Sequence, residues 1–458
     1  RPTINLLAET GGKNATIVTA MSDREQALKH VLHSAFSHGG QKCSATSLLI
    51  LEQEVFEDED FRETFKDAVE SLAVGSAWEL QNRIGPLIRP PSGVMEAALK
   101  ELESGESWLV MPHCLDNNPR LYSPAVKWNL QPGSVTHMTE FFGPVLGVMS
   151  ANNLAEAVLL ANQTGYGLTA GLESLDEREQ QYWSEHVRAG NLYINRPTTG
   201  AIVLRQPFGG YGKSAFGPGI KAGGPHYVRQ LMQFLPVLSE EEGSTTQSIE
   251  SESLKALAEA IEAADDQQLP RAEQRRLLSA LASYDFWARQ EFLQQHDHFG
   301  LPGQDNVRRY LPVDPLRIRI CPDDSGFDIF ARAAAAQSVG CRATISLAPG
   351  YPVELIRWLD ELTEAWAGSI EFLEETDDQL LEAIVSDQVQ RLRYRGADQV
   401  SLSIRKMVPD HGIYVADHPV LGQGRLELPW YVEEQSLSIN YHRYGNLGER
   451  GASFSEKS

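Results

Sequence analysis

The sequence predicts an α/β protein built as two successive units. Residues 1–238 mix short apolar runs with helical stretches and Gly/Pro punctuation, the pattern of layered strands and helices. A polar, acidic stretch follows at 239–253, almost free of large apolar side chains, and reads as a linker. Beyond it, an alternating strand, an Ala-rich helix and a second strand form the β–α–β unit of a doubly wound sheet.

Taken in order, Ile4-Asn5-Leu6-Leu7-Ala8 is an apolar, strand-like opening, and Thr16-Ile17-Val18-Thr19 a second strand. Helices are expected over 22–37 and 154–164, with turns at Gly39-Gly40 and Gly209-Gly210. After the linker, Leu254, Leu257, Ala258 and Ile261 recur at helical spacing, and a second helical run covers 271–294. Leu316-Arg317-Ile318-Arg319-Ile320 alternates as a strand, 327–339 is helical, 341–347 is a strand again, and 435–441 alternates as a terminal strand. The expected organisation is 1–238 as one domain, 239–312 as linker and helical segment, and 313–458 as a second domain.

Composition narrows the function classes. The chain has 458 residues, 42% of them hydrophobic and 22% charged, which fits soluble globular domains. No apolar run approaches the ~18–20 residues needed to cross a bilayer, so no transmembrane segment is expected. The net charge of −22 disfavours nucleic-acid binding through this segment. Cys43, Cys114, Cys321 and Cys341 are scattered, without a CxxC pair or a Cys/His cluster, so neither a metal site nor a disulfide framework is expected; a reducing cytoplasm is the expected setting. From the missing initiator Met, the sequence is expected to be a piece of a longer chain.

Three segments carry chemistry. Cys43 lies in Ser37-His38-Gly39-Gly40-Gln41-Lys42-Cys43-Ser44, just past a helix and beside paired glycines that permit close backbone approach. A thiol attacks only as thiolate and therefore needs a polar, partly open setting. Glu9 lies in Leu7-Ala8-Glu9-Thr10-Gly11-Gly12-Lys13, where a carboxylate closing a strand can serve as general base. Glu140 opens Glu140-Phe141-Phe142-Gly143-Pro144. Singly, each has a bland alternative: a core cysteine, a solvated turn acid, a surface acid at a strand start.

Together they resemble the aldehyde dehydrogenase superfamily, whose signatures are a Glu-Leu-Gly-Gly-Lys-type base motif, Gly-Gln-x-Cys, and Glu-x-Phe-Gly-Pro. The intervals of 34 residues from Glu9 to Cys43 and 97 from Cys43 to Glu140 are usual for that family. The resemblance implies that Cys43 attacks an aldehyde carbon while its backbone N–H helps hold the oxyanion, and that Glu9 activates the water that hydrolyses the thioester. It implies an NAD-type hydride acceptor, with Glu140 on the nicotinamide ribose, Phe142 beside that end of the cofactor, and the Gly11 backbone close to it. The family's second oxyanion donor, an Asn, would lie upstream of this sequence.

The stretch from Gly190 to Pro225, including Asn195-Arg196-Pro197-Thr198-Thr199-Gly200-Ala201 and Gln206-Pro207-Phe208-Gly209-Gly210, is similar to one branch: L-glutamate γ-semialdehyde dehydrogenases, especially those within proline utilization A enzymes. In that branch Ser44 and the backbone of Gly200 and Ala201 would hold the substrate α-carboxylate, and Phe208 would pack on its aliphatic stem. Lys42 and Pro197 depart from the branch's more usual residues without removing a proposed catalytic group.

The second unit carries no such motif and is expected to be chemically silent. Its 327–341 segment is similar to the cofactor-domain helix of the same superfamily, which implies a degenerate Rossmann-like domain like the carboxy-terminal domain of the longer proline utilization A enzymes. Asp323-Asp324 reads as an acidic loop rather than a metal pair, and Cys341 as core. The terminal strand is expected to pair with an exposed edge elsewhere in a homo-oligomer. Deleting 313–458 is then expected to impair aldehyde oxidation or assembly. FAD is expected only in a proline dehydrogenase domain preceding this stretch. Two alternatives stay open: a stand-alone dehydrogenase for another carboxylated aldehyde, or a non-catalytic assembly fragment without NAD binding if the chain truly starts at Arg1.

Overall fold

A computed structural model describes residues 6–234, 248–350, 353–366, 368–442 and 445–447. The opening of the strand expected at 4–8, and the linker up to residue 247, lie outside the described residues, as do Arg443 and Tyr444 of the carboxy-terminal segment. Two sheets organise the chain. The larger has nine strands, in the order Gln304–Pro312, Val432–Asn440, Asn191–Ile194, Thr169–Glu173, Asn14–Val18, Thr46–Glu52, Val145–Ala151, Ala125–Trp128 and Ser107–Val110. All neighbours run parallel except at the two edges, where Gln304–Pro312 and Ser107–Val110 are antiparallel to their partners.

The central strands are buried on both faces, so their sequences run apolar continuously rather than alternating against solvent. Alternate residues of Thr46–Glu52 feed two different cores. Leu48 and Ile50 join Ile17 and the helix Leu154–Gln163 on one face. Leu49 and Leu51 join the helices Arg24–Phe36 and Glu59–Glu70 on the other.

The helix Arg24–Phe36 starts where the Asp23 side chain accepts from the Gln26 N–H. It gives way to a tight turn, Ser37–Gly40, in which His38, Gly39 and Gly40 all take left-handed backbone angles. Gly40 is required there, because a Cβ would lie 2.2 Å from the Gly143 carbonyl oxygen. The Ser37–Cys43 segment is thereby pressed against the Gly143-Pro144 turn.

The second sheet holds Ile370–Glu374, Ala343–Leu347, Leu316–Ile320, Arg391–Arg393 and Tyr414–Ala416, all parallel. Numbered along the chain the strand order is 3-2-1-4-5, the doubly wound arrangement. The helix Gly326–Ser338 follows the first strand, opened by a capping box between Ser325 and Asp328. At the switch point between strands 1 and 4, Asp324 pairs with Arg332 and Arg395, and Asp323 with Arg395. Acids thus stand at the helix start where a nucleotide-binding Rossmann domain presents glycines to a pyrophosphate. That makes the domain Rossmann-like in topology and degenerate in its loop. Cys341 is fully buried, and no His/Cys/Asp/Glu cluster suited to a metal occurs among the described residues.

Two features differ from the expected organisation. The helical run before residue 312 supplies Glu252–Ala263 and Arg271–Trp287, whose Leu254, Leu257, Ile261, Leu277 and Leu281 share a core with Phe327 and Phe330 of the second domain. The terminal strand Val432–Asn440 pairs within its own chain. It lies parallel to Asn191–Ile194 and antiparallel to Gln304–Pro312, so both become strands of the first unit's sheet. Asn191 explains the match: its side-chain amide donates to the Ser436 hydroxyl at 2.7 Å and to the Pro207 carbonyl at 2.8 Å.

Candidate active site

Three loops feed neighbouring parallel strands: 9–13 leads into Asn14–Val18, 41–45 into Thr46–Glu52, and 140–144 into Val145–Ala151. Adjacent strands put Glu9, Cys43 and Glu140 on one end of the sheet. The Cys43 loop is fixed at three points. Asn14 Nδ2 donates to the Cys43 and Ala45 carbonyl oxygens, and the Thr169 and Thr198 hydroxyls both donate to the Ser44 carbonyl, at 3.3 and 3.0 Å.

Cys43 itself is solvent-exposed. Partial burial of its sulfur pushes the thiol pKa up, the Ser44 and Cys43 backbone N–H groups pull it down, and the charges of Glu9 and Glu140 push it up further. Both carboxylates therefore lie within electrostatic range of the sulfur. The two N–H groups at the sulfur also mark where an oxygen developing negative charge on a bound carbonyl would be held.

Glu9 belongs to a two-residue strand, Ala8–Glu9, paired antiparallel with Ala215–Phe216. Its Oε2 accepts the Gly210 N–H at 2.9 Å. Loss of solvation around the carboxyl raises its pKa, opposed by the Lys221 charge and by that N–H. A carboxyl held above its ordinary value is a stronger base than a free glutamate.

Glu140 accepts the Gly12 N–H at 3.0 Å, and its other oxygen lies over Gly11, where a Cβ would sit 2.2 Å away. Burial raises its pKa while the Gly12 N–H and Lys13 lower it. Phe142 is 41% exposed beside it, and its carbonyl accepts from Gln41 Nε2 at 3.4 Å. An accessible carboxylate flanked by a bare glycine backbone and an exposed aromatic ring fits sugar hydroxyls next to a flat heterocycle.

The 198–210 loop is anchored beside the Cys43 loop. Thr198 ties it to Ser44, and Gly200 and Ala201 are exposed, Gly200 with open space at its Cα. Phe208 is half-buried and bonded through its backbone to Ala222 in both directions. Gly210, two residues on, donates its N–H to Glu9. Glu9 and Glu140 thus come within electrostatic range of Cys43, Gly11 lies against Glu140, and the 198–210 loop is joined to the cluster through Thr198 at Ser44 and Gly210 at Glu9.

Sequence reasoning did not single out Asn14, Lys13 or Lys221. Lys13 is buried, with Nζ donating to the Ser47 carbonyl at 3.3 Å and lying 5.0 Å from the Phe141 ring centroid; burial brings its pKa down to about 7. Lys221 is buried against Tyr211 and Gly210. Both stand inside quoted motifs, yet only burial distinguishes them from solvated lysines, and no local pattern encodes that.

The site is thus a thiol on a glycine-lined bend within electrostatic range of two carboxylates, at one end of a largely parallel sheet. Residues 2–237 match the sequence profile of the aldehyde dehydrogenase family, and the chain belongs to that family. The chain is 34% identical over 229 residues to the 1-pyrroline-5-carboxylate dehydrogenase 1 of Halalkalibacterium halodurans, covering 50% of this chain and 44% of that protein. It is 32% identical over 360 residues to the bifunctional protein PutA of Klebsiella aerogenes, covering 74% of this chain and 26% of that protein. The solved structure of proline utilization A from Corynebacterium freiburgense superposes with a TM-score of 0.76 at 35% identity, covering 97% of this chain and 40% of the other. The chain spans less than half the length of each of these relatives.

Proposed function

We propose that this chain contributes the catalytic half of an NAD(P)-dependent dehydrogenase that oxidises L-glutamate γ-semialdehyde to L-glutamate, the second oxidation of proline breakdown. The observation that carries the reading is the convergence of Cys43, Glu9 and Glu140 on adjacent loops of one sheet. The similarity across both units to a proline utilization A enzyme, rather than across the first alone, supports the substrate.

In this reading Cys43 Sγ bonds to the aldehyde carbon, and the Cys43 and Ser44 N–H groups steady the charge around that centre. NAD, when bound, supplies the hydride acceptor that the oxidation requires, and Glu140, Phe142 and Gly11 are the residues that would hold its nicotinamide end. The oxidised substrate stays on Cys43 as a thioester. Glu9 takes a proton from water, whose oxygen bonds to the acyl carbon as the carbon–sulfur bond breaks. Ser44 and the Gly200 and Ala201 N–H groups fix the substrate α-carboxylate, and Phe208 covers the methylene stem. One charged end held in place leaves the aldehyde end at the thiol.

The enzyme is cytoplasmic and a homo-oligomer in this reading, and a flavin-dependent proline dehydrogenase unit accompanies it in the natural polypeptide. Among the described residues no helix is long and apolar enough to cross a membrane. The deciding experiment is NADH formation by the natural polypeptide with glutamate γ-semialdehyde and with succinate semialdehyde. The expected result is a kcat/KM at least tenfold higher for the amino-acid aldehyde, abolished by Cys43→Ala; preference for succinate semialdehyde overturns the substrate assignment.

A further inference from the structure

Lys221 is a buried ammonium that the reaction as derived does not use. Only 2% of the residue is exposed. Its Nζ donates to the Gly210 carbonyl at 2.6 Å and lies 4.0 Å from the centre of the Tyr211 ring. Burying a cation this deeply is costly unless anions face it. The charged and titratable groups around it are Glu433, Glu9, Glu434, Arg391 and Tyr211. Glu434 accepts the backbone N–H of Lys221 at 2.9 Å, which pins the loop to the terminal strand. Of the three carboxylates, Glu9 alone belongs to the catalytic cluster.

The two side chains converge on one point. A Cβ placed on Gly209 would come within 2.7 Å of Lys221 Cδ and 2.8 Å of Glu9 Oε1. Gly210 is gripped from both sides: Lys221 donates to its carbonyl, and its N–H donates to Glu9 Oε2. We propose that Lys221 is a positioning residue for Glu9, holding the carboxylate charged and, through Gly210, in place for hydrolysis of the acyl group on Cys43. This rests on the reading of Cys43 as nucleophile and Glu9 as base.

The step it serves balances without a redox partner. The water oxygen bonds to the acyl carbon, one water proton goes to Glu9, and the electron pair of the carbon–sulfur bond returns to Sγ. A protonated Glu9 cannot accept that proton. The Lys221 charge lowers the Glu9 pKa against the burial that raises it, so removing the charge must move the onset of hydrolysis to higher pH. Lys221 itself is brought down to about 8 by burial, so its influence fades above that pH.

An activated ester tests this without any hydride acceptor. The natural polypeptide is acetylated with p-nitrophenyl acetate, excess ester is removed, and loss of the acetyl group from Cys43 is followed by intact mass from pH 5.5 to 9. For Lys221→Met the expected result is unchanged acetylation and a deacetylation pH midpoint raised by about one unit, so that deacetylation is about tenfold slower at pH values below the wild-type midpoint. Lys221→Arg should restore both. A Lys221→Met profile superimposable on wild type overturns the proposal, as does equal loss of acetylation and deacetylation in both variants, which would mark Lys221 as purely structural. If the wild type acetylates elsewhere than Cys43, the reading of the site itself fails, and this proposal with it.

Discussion

Asn14 donates from a single side-chain amide to the carbonyl oxygens of Cys43, at 2.7 Å, and Ala45, at 2.9 Å, while its own Oδ1 accepts the Thr169 N–H at 3.0 Å. One residue at the start of a central strand therefore ties the Cys43 loop to the sheet and to the neighbouring strand. The pleat is broken at that point, with the pairing register shifting between Asn14 and Ala15. The irregularity frees the Asn14 side chain for the loop.

Asn14→Ala should be costly for that reason. It strands buried carbonyl oxygens and one backbone N–H, each orphan worth about 1–3 kcal/mol. The expected outcome is a loss of roughly 2–4 kcal/mol in urea unfolding, with acetylation of Cys43 slowed more than tenfold. Asn14→Asp should be worse than Ala, because it turns an oxygen toward two carbonyls. Retention of wild-type acetylation by either variant would show that the loop is held by Thr169 and Thr198 alone.

The thiol gives a second, sign-specific test. Glu9 and Glu140 both disfavour the Cys43 thiolate. Removing either charge must lower the thiol pKa, so alkylation by iodoacetamide should begin at lower pH in Glu140→Gln than in wild type. At pH 7.5 the alkylation rate should rise a few-fold. Glu9→Gln should move the curve in the same direction while abolishing deacetylation, which separates the electrostatic effect of the acid from the role of base proposed for it.

Much of this was legible in the sequence, and the reason differs by element. The helix at Arg24–Phe36 follows from periodicity because one face is buried at the helical repeat, whereas Leu316–Ile320 alternates apolar residues with arginines although all five are buried. The site residues could be grouped because motif content and spacing survive wherever a loop must meet a loop. What could not be read were relations across long sequence separation. The pairing of Val432–Asn440 with Asn191–Ile194 depends on which edge lies free in space, and an alternating strand carries no record of its partner. The helices Glu252–Ala263 and Arg271–Trp287 show an apolar stripe that fits equally with a linker bundle or with the second domain's core. The buried ammonium of Lys221 is encoded only by its surroundings.

Acid stability offers a test of how the two units are joined. Glu291, in the second unit's helical extension, accepts from His226 of the first unit at 3.0 Å, from Arg308 at 2.8 Å and from Tyr310 at 2.9 Å. Burial pushes its carboxyl up, but the hydrogen bond from His226, the Arg308 charge and the Tyr310 hydroxyl outweigh it and hold the pKa far below the ordinary glutamate range. A depressed folded-state pKa means stability that is complete above the unfolded value, near 4.3, and that drains away as pH falls below it. The melting temperature should drop between about pH 4.5 and 3, and Glu291→Gln should flatten that drop while lowering stability at neutral pH. An identical pH slope in the variant would assign acid sensitivity elsewhere.

The switch point of the second sheet permits a sharper energetic test. Arg332 and Asp324 form an ion pair with both side chains fully buried, and Arg332 also donates to the Arg319 carbonyl at 2.8 Å and to the Asp328 carbonyl at 2.7 Å. Removing one partner of a buried pair leaves the other charge without compensation, at about 3–5 kcal/mol. Asp324 has a second cation in Arg395 and an amide in Gln399, whereas Arg332 keeps only carbonyl oxygens. Asp324→Asn should therefore cost more than Arg332→Met, since it deprives two guanidinium groups at once. The double variant should cost clearly less than the sum of the singles in a thermodynamic cycle. Additive losses would mean that the two charges do not stabilise one another, and that the acidic loop is held by Arg395 and Gln399 instead.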